Sequence, residues 1–144
     1  MNQRKYVLEL LTDACLLACK PVVTPMDNLV KLSSTGNVPF IDVHAYRRLI
    51  GRLMSNTRPD ITFSVQQLSQ FLDKPTIAHY NAAIRILKYI KRAPSLGLFF
   101  SSSSSAHLKA FCDSDWGTCS DSRQSVTNFS VYIGNSLISW KSKK

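Results

Sequence analysis

Residues 76–91, TIAHYNAAIRILKYIK, carry the most regular apolar pattern of the chain. Apolar residues recur there at helical spacing over about four turns, at Tyr80, Ala83, Ile84, Leu87 and Ile90. This period predicts an amphipathic helix, because residues three and four apart lie on the same helical face. The hydroxyl of Thr76 is placed to accept from a first-turn amide, and Pro94 and Gly97 predict the end of the helix.

Two shorter helices are predicted before it. The apolar residues of the first, over residues 43–55, are Ala45 or Tyr46, Leu49, Ile50, Leu53 and Met54. Those of the second, over residues 61–72, are Ile61, Val65, Leu68 and Leu72. Arg58-Pro59-Asp60 separates the two, because proline forces the preceding residue towards extended geometry and is tolerated in the first turn of the following helix.

The N-terminal residues form a further helical face, made of Val7, Leu8, Leu10, Leu11, Ala14, Cys15 and Ala18. Glu9 and Asp13 interrupt this stretch, whereas the apolar part of an export signal is normally free of charge. No apolar run approaches the roughly 20 residues of a membrane-spanning helix. We therefore expect an intracellular protein, cytoplasmic or nuclear, without a membrane-spanning segment. Residues 20–40, which contain three prolines, predict an extended connector.

The pattern changes after Gly97. Five consecutive serines, residues 101–105, favour a flexible loop. Three strands are predicted after them, over Leu108–Asp113, Thr127–Ile133 and Leu137–Trp140, and Gly134-Asn135 is typical of a hairpin turn. Helices followed by a meander predict the α+β class, with a helical region over residues 1–100 and a three-stranded antiparallel meander over residues 106–144.

The composition is that of a basic, folded protein. The 144 residues carry a formal charge of +9, and 44% of them are hydrophobic, which is enough for a buried core. The four cysteines lie in two distant pairs without the spacing of a zinc site. This favours reduced thiols, although the sequence also allows a disulfide.

Asp113 and Asp115 are the candidate metal ligands. If one strand continues through both, their carboxylates point to the same face, since side chains alternate along a strand. Carboxylate oxygens are the ligands that Mg²⁺ prefers, and such an ion activates water in phosphodiester cleavage. The alternative is structural: one aspartate ends the strand and the other closes a turn by bonding the backbone.

A second candidate site is basic. Two sets of cations lie opposite the apolar faces of the predicted helices: Arg47, Arg48 and Arg52 on the first, and Arg85, Lys88 and Arg92 on the third. Such faces attract phosphate backbones with an affinity that falls with salt; the alternative is an ordinary solvated surface. A third set could stack on bases, but its place within strand patterns favours packing in a core: Phe99, Phe100, Phe111, Phe129, Tyr132 and Trp140.

Several segments resemble the Pol polyproteins of Ty1/copia-type retrotransposons. Residues 46–53, YRRLIGRL, and 56–61, NTRPDI, resemble the family's YRxLVGxLxYLTxTRPDI segment. Residues 85–91, RILKYIK, are similar to its RxLRYIKG, residues 113–117, DSDWG, to its YSDADWAG, and residues 138–144, ISWKSKK, to its ISWKSKKQ. The order and the spacing match over nearly the whole chain.

The resemblance implies a place in the polyprotein and a role for several residues. Residues 1–100 would correspond to the thumb and connection region of reverse transcriptase, and residues 106–144 to the first strands of an incomplete ribonuclease H domain. Asp113 would be the first metal-binding aspartate of that domain, with Asp115 beside it, and Mg²⁺ would be the cofactor of the parent family. RNA/DNA hybrid or duplex nucleic acid would be the partner of the basic helices.

Most of the carboxylates that this chemistry needs are missing from the chain. The family's polymerase uses a YxDD turn, and no two acidic residues are adjacent here. Its ribonuclease H needs a glutamate after the third strand, and the only glutamate of this chain is Glu9. Because two-metal catalysis needs several carboxylates, we expect a truncated, inactive Pol product without stably bound Mg²⁺. The alternatives are a stand-alone basic binding or interaction module and a non-functional relic.

Overall fold

A computed structural model describes residues 2–27, 32–33, 38–103, 105–115 and 125–143. The chain divides into two compact units, Asn2–Leu96 and Gly97–Lys144. The described part of the first unit contains four α helices and a short 3-10 helix: α1 (Arg4–Asp13), α2 (Val43–Met54), the 3-10 helix Pro59–Ile61, α3 (Thr62–Ser69) and α4 (Ile77–Arg92). The second contains β1 (Leu108–Asp115), β2 (Val126–Ile133) and β3 (Ser136–Lys143). The predicted α+β class is confirmed.

The core of the helical unit is formed by apolar faces of all four helices. Its buried residues are Val7, Leu10 and Leu11 of α1, Tyr46, Ile50 and Leu53 of α2, Ile61, Val65 and Leu68 at α3, and Ala83, Ile86, Leu87 and Ile90 of α4. The helix α4 is the central element, because it contacts the other three. Burial of each large apolar side chain contributes about 1.5–3 kcal/mol to folding.

The buried faces of α2 and α4 differ in detail from the predicted ones. Met54 is 54% exposed, because it is the last residue of α2. Tyr80 and Ile84 are only half-buried, whereas Ile86, which the prediction left out, is buried. Because α4 contacts three helices, its buried face is not confined to the single predicted stripe.

The helix α1 is shorter than its apolar pattern predicts. It ends at Asp13, and Cys15 has a φ of 54°, in the left-handed region that commonly follows a helix end. Cys15 and Ala18 lie beyond this end and are exposed rather than part of the core, and Leu8 is exposed although it lies within α1. None of the described helices combines the length and the apolar character needed to cross a bilayer.

Part of the predicted connector pairs with the segment before α4. The amide of Phe40 donates to the carbonyl of Pro75 at 2.9 Å, and the amide of Ile77 donates to that of Val38 at 3.0 Å. The ring of Phe40 also stacks on Tyr80, with 4.3 Å between the centroids. Residues 28–31 and 34–37 of the connector lie outside the described residues.

Thr76 caps α4 as predicted. Its hydroxyl oxygen accepts from the amide of His79 at 3.5 Å, and the Nδ1 atom of His79 accepts from the amide of Thr76 at 3.0 Å. This reciprocal arrangement is a capping box, with histidine in the place usually taken by glutamate or glutamine. The His79 ring is fully buried and stacks on Phe71 at 4.0 Å, so the cap is part of the packed unit.

An ion pair with a buried arginine joins the start of α3 to the end of α4. Arg58 is only 2% exposed and binds Asp60 through two hydrogen bonds, Nε to Oδ1 at 2.9 Å and Nη2 to Oδ2 at 2.7 Å. Its Nη1 atom donates to the carbonyl of Ala93 at 2.9 Å, directly after α4. The hydroxyl of Tyr89 donates to Asp60 at 2.8 Å. Burial opposes ionisation of Asp60, but the hydrogen bonds from Arg58 and Tyr89 outweigh it and lower its pKa.

Tyr46 connects α2 with α3 inside the core. Its side chain is fully buried, and its hydroxyl donates to the carbonyl of Leu68 at 2.8 Å. Burial raises the pKa of the phenol, because the phenolate form would lose its hydration.

The second unit is built on an antiparallel sheet with the strand order β1-β2-β3. The strands are longer than predicted: β1 extends to Asp115, and β3 runs from Ser136 to Lys143. The predicted turn between β2 and β3 is confirmed, and Gly134 has a φ of 58°, as tight hairpin turns require at a central position.

Most aromatic residues of this unit are exposed. Phe99, Phe100, Phe111 and Phe129 are 82%, 47%, 61% and 38% exposed, whereas Tyr132 and Trp140 are half-buried. The interpretation that this set packs in a core is therefore wrong for the four phenylalanines. For Phe111 and Phe129, which lie on β1 and β2, the reason is geometrical: the described residues of the unit form one sheet and no helix, so they supply no second layer to cover it. Phe99 and Phe100 precede the sheet and lie on no strand.

We expect Asp60→Asn to lower the free energy of unfolding by about 3 kcal/mol at neutral pH, because it leaves the buried charge of Arg58 without its partner. The folded state lowers the pKa of Asp60, so its contribution is present above the ordinary carboxyl pKa of about 3.9 and is lost as the pH falls below it. Urea unfolding of both proteins at neutral and acidic pH should show the difference shrinking in acid.

Asp73→Asn is the matched control for this substitution. It removes the partner of Arg47, but the Asp73 side chain is 96% exposed, and such surface pairs contribute little. A loss of stability equal to that of Asp60→Asn, or a difference that does not change with pH, would contradict the role given to the buried pair.

We expect Tyr46→Phe to cost about 1 kcal/mol at neutral pH, since it removes one buried hydrogen bond. The raised pKa of Tyr46 adds a second effect, because above about pH 10 the phenol ionises in the unfolded chain before it ionises in the folded protein. The free energy of unfolding of the wild type then falls by up to about 1.4 kcal/mol per pH unit, and the variant, which has no phenol at this position, does not show this fall. Urea unfolding at neutral pH and near pH 11 measures both effects. A gap between the two proteins that is the same at both pH values would contradict them.

Candidate nucleic-acid interface

The predicted cations of α2 project in two directions. Arg47 turns towards the segment after α3, where its Nε donates to the carbonyl of Leu72 at 2.8 Å and its Nη2 lies 3.0 Å from Asp73. Arg48 and Arg52 instead line a cleft of about 120 Å³ between α1, α2 and α4. The structure therefore does not bring Arg47, Arg48 and Arg52 together on one face.

Arg52 is held by residues of α1. Its Nη1 donates to Asp13 at 2.7 Å, and its guanidinium carbon lies 6.0 Å from the centre of the Tyr6 ring. The hydroxyl of Tyr6 donates to the carbonyl of Arg52 at 2.9 Å. The hydrogen bond to Asp13 raises the pKa of Arg52 although partial burial opposes it. Arg52 therefore has a structural role between α1 and α2.

The predicted cations of α4 also do not form a single group. Arg85 faces the connector, with its Nη2 donating to Thr24 at 3.0 Å and its Nη1 at 3.8 Å from Asp27. Lys88 lies one turn further along the same side, and both cations line a cavity of about 400 Å³. Arg92 is exposed in the last turn of α4.

The six predicted cations therefore differ in their availability to a phosphate. Arg47, Arg52 and Arg85 each lie within 4 Å of a carboxylate. Arg48, Lys88 and Arg92 form no ion pair with the described residues, and of these Arg48 and Arg92 are exposed. Exposed ion pairs contribute only about 0.2–1 kcal/mol each, so a phosphate competes readily with a carboxylate such as Asp73.

The predicted metal ligand Asp113 lies within β1. It is opposite Asn128 of β2, and its exposed carboxylate accepts from the amide of Ser114 at 2.9 Å. The strand continues to Asp115, so the backbone places the two aspartates on one face, and the side chain of Asp115 lies outside the description. Among the described residues, no group of three or more His, Cys, Asp or Glu is placed to hold a metal ion. Metal binding at Asp113 and Asp115 stays a prediction.

Two cations with specific internal partners were missed by the sequence analysis. Arg58 forms the buried pair with Asp60, and the Arg-Pro-Asp spacing is the signal that would have indicated it. Lys91 donates from Nζ to the carbonyl of Leu17 at 2.7 Å and to that of Cys19. No local pattern predicts this contact, because its acceptors lie 74 and 72 residues earlier in the chain.

Comparison with known proteins identifies relatives over the whole chain. The chain is 39% and 38% identical to the retrovirus-related Pol polyproteins from transposons RE1 and RE2 of Arabidopsis thaliana, and it spans 10% of the length of each. It is 36% identical to an uncharacterized mitochondrial protein of the same plant and spans 60% of it. No protein-family model matches the chain, and no solved structure matches it.

These relationships cover both structural units. The alignments with the two polyproteins run through the helical unit and the sheet without leaving out either. They also include Arg58, Asp60 and Asp113, which lie in the segments that the sequence analysis compared with Pol. The chain is therefore similar along its whole length to one segment of the retrotransposon Pol polyproteins.

Proposed function

We propose that the chain is a segment of a Ty1/copia-type reverse transcriptase and ribonuclease H, inactive by itself, that binds RNA/DNA hybrid or duplex nucleic acid through its helical unit. The observation that carries this proposal is the match to two Pol polyproteins over the whole chain. Because the chain spans a tenth of each, catalysis would depend on residues that the rest of the polyprotein supplies.

The two units take different parts in this proposal. Residues 1–100 form the thumb and connection region, and residues 106–144 form the first strands of ribonuclease H. The antiparallel meander and the position of Asp113 on its first strand support the second assignment. The helical unit, which carries 13 of the 18 Lys and Arg residues, supports the first.

The distribution of acidic residues supports inactivity of the isolated chain. A two-metal site needs several carboxylates around ions that lie about 3.5–4 Å apart. The chain has nine acidic residues, no two of them adjacent, and its one glutamate lies on α1. The residue opposite Asp113 in the sheet is Asn128, which supplies no charge.

Binding of nucleic acid would rest on the exposed cations. Arg48 on α2 and Arg92 at the end of α4 are exposed and form no ion pair with the described residues. Arg47 adds a third cation after it releases the exposed Asp73. The formal charge of +9 strengthens the attraction at long range, and the release of counterions from the nucleic acid drives association.

We expect the protein to bind a fluorescein-labelled RNA/DNA hybrid with an affinity that falls steeply with salt, because each phosphate contact adds about 0.9 to the slope of log K against log salt for a duplex. Arg48→Gln/Arg92→Gln should reduce that slope by about two, because it removes two contacts. Fluorescence anisotropy over a series of KCl concentrations measures both.

Lys141→Gln/Lys143→Gln is the matched control, because it removes the same charge from exposed positions of the sheet. It should leave the slope close to that of the wild type. An equal reduction in both double variants would mean that net charge alone drives binding, against the assignment of the interface to the helical unit.

We expect no Mg²⁺-dependent cleavage of a labelled hybrid by the purified chain, since most of the carboxylates of a two-metal site are missing. Gel electrophoresis of the RNA strand with Mg²⁺ and with EDTA measures it, with Asp113→Asn as the control variant. Robust cleavage that disappears in Asp113→Asn would overturn the inactivity and establish Asp113 as a metal ligand.

A further inference from the structure

A cavity of about 400 Å³ lies beside α4 in the helical unit. Its volume falls in the range of sites for small molecules, roughly 300–1,000 Å³. Val22 and Leu32 contribute apolar surface from the connector side, and Ala82 contributes it from α4. The small side chain of Ala82 leaves the space open at the middle of the helix.

The charged groups of this cavity favour an anion. Arg85 and Lys88 line it from successive turns of α4, and Asp27 is the carboxylate among the described lining residues. Two cations against one carboxylate give the described lining residues a net positive charge. Asp27 lies 3.8 Å from Nη1 of Arg85, which is longer than a hydrogen bond.

Arg85 also has an unused donor. Its Nη2 donates to Thr24 at 3.0 Å, but its Nε atom is buried and has no hydrogen-bond partner in the described part of the chain. A buried donor on a charged group is costly to leave without an acceptor. An anionic oxygen in the cavity would satisfy it once the Arg85 side chain turns towards the cavity.

We propose that this cavity binds a small organic anion that consists of an apolar body and one negatively charged group. The charged group pairs with the guanidinium of Arg85 and with Lys88, and the apolar body lies against Val22, Leu32 and Ala82. A carboxylate and a phosphate share this chemistry. The inference stands apart from hybrid binding, which is assigned to Arg47, Arg48 and Arg92.

The test uses 8-anilinonaphthalene-1-sulfonate, a dye with an apolar body and one sulfonate that fluoresces in apolar sites. We expect saturable binding at one site per chain, and binding at least about tenfold weaker for the uncharged analogue N-phenyl-1-naphthylamine. Arg85→Gln and Lys88→Gln should each weaken the dye about tenfold, the usual effect of losing a hydrogen bond to a charged group. Lys74→Gln, an exposed lysine outside the lining, should change nothing.

Ala82→Phe fills the cavity and should abolish the site while a cooperative thermal transition is retained. Phe129→Ser is a second control, because it removes exposed apolar surface from the sheet, where the dye could also bind. Displacement of the dye by decanoate assigns a carboxylate ligand, and displacement by adenosine monophosphate assigns a phosphate. Displacement by neither, or binding that persists in Ala82→Phe and disappears in Phe129→Ser, would overturn the proposal.

Discussion

The bidentate pair between Arg58 and Asp60 is the constraint on which the helical unit depends. A guanidinium that is 2% exposed is tolerated only where its charge has a partner, and here the partners lie directly before α3 and directly after α4. Asp60 lies in the 3-10 helix directly before α3, and the carbonyl of Ala93 directly follows α4. The pair therefore fixes where one helix starts relative to where another ends, while the apolar faces fill the space between them.

Sequence periodicity predicted the elements of this unit well, because burial of an amphipathic helix leaves a local signature. The bounds of α4 and its Thr76 cap follow from residues close together in the chain, as does the turn at Gly134 in the second unit. The extent of the buried face of α4 could not be predicted in this way. Ile86 is buried because α4 contacts three helices, and the sequence of α4 alone does not show how many helices pack against it. The exposed phenylalanines of the sheet were mispredicted for the same reason, since strand patterns assume a covering layer.

The sequence predicted which basic residues belong to the candidate interface, but it did not predict which of them form contacts within the protein. Basic residues opposite an apolar stripe are visible in the sequence, but their partners are set by the tertiary structure. Asp13 reaches Arg52 across 39 residues, and Thr24 reaches Arg85 across 61. Such contacts decide which cations hold the protein together and which face solvent. Arg58 shows the opposite case, because its partner lies two residues away within a recognisable motif.

The order of the sheet has a consequence for how the second unit behaves in concentrated solution. Because β2 lies in the middle, β1 and β3 are edge strands. The outer edge of each carries a row of amide and carbonyl groups that no described strand pairs with, and a further strand can form hydrogen bonds with them. The two edges are not equivalent: β3 carries Lys141 and Lys143, whose mutual repulsion discourages growth of the sheet, whereas β1 combines Lys109 with Asp113. Self-association would therefore begin along β1, and the lysines of β3 would restrict the addition of further strands to that one edge of the sheet.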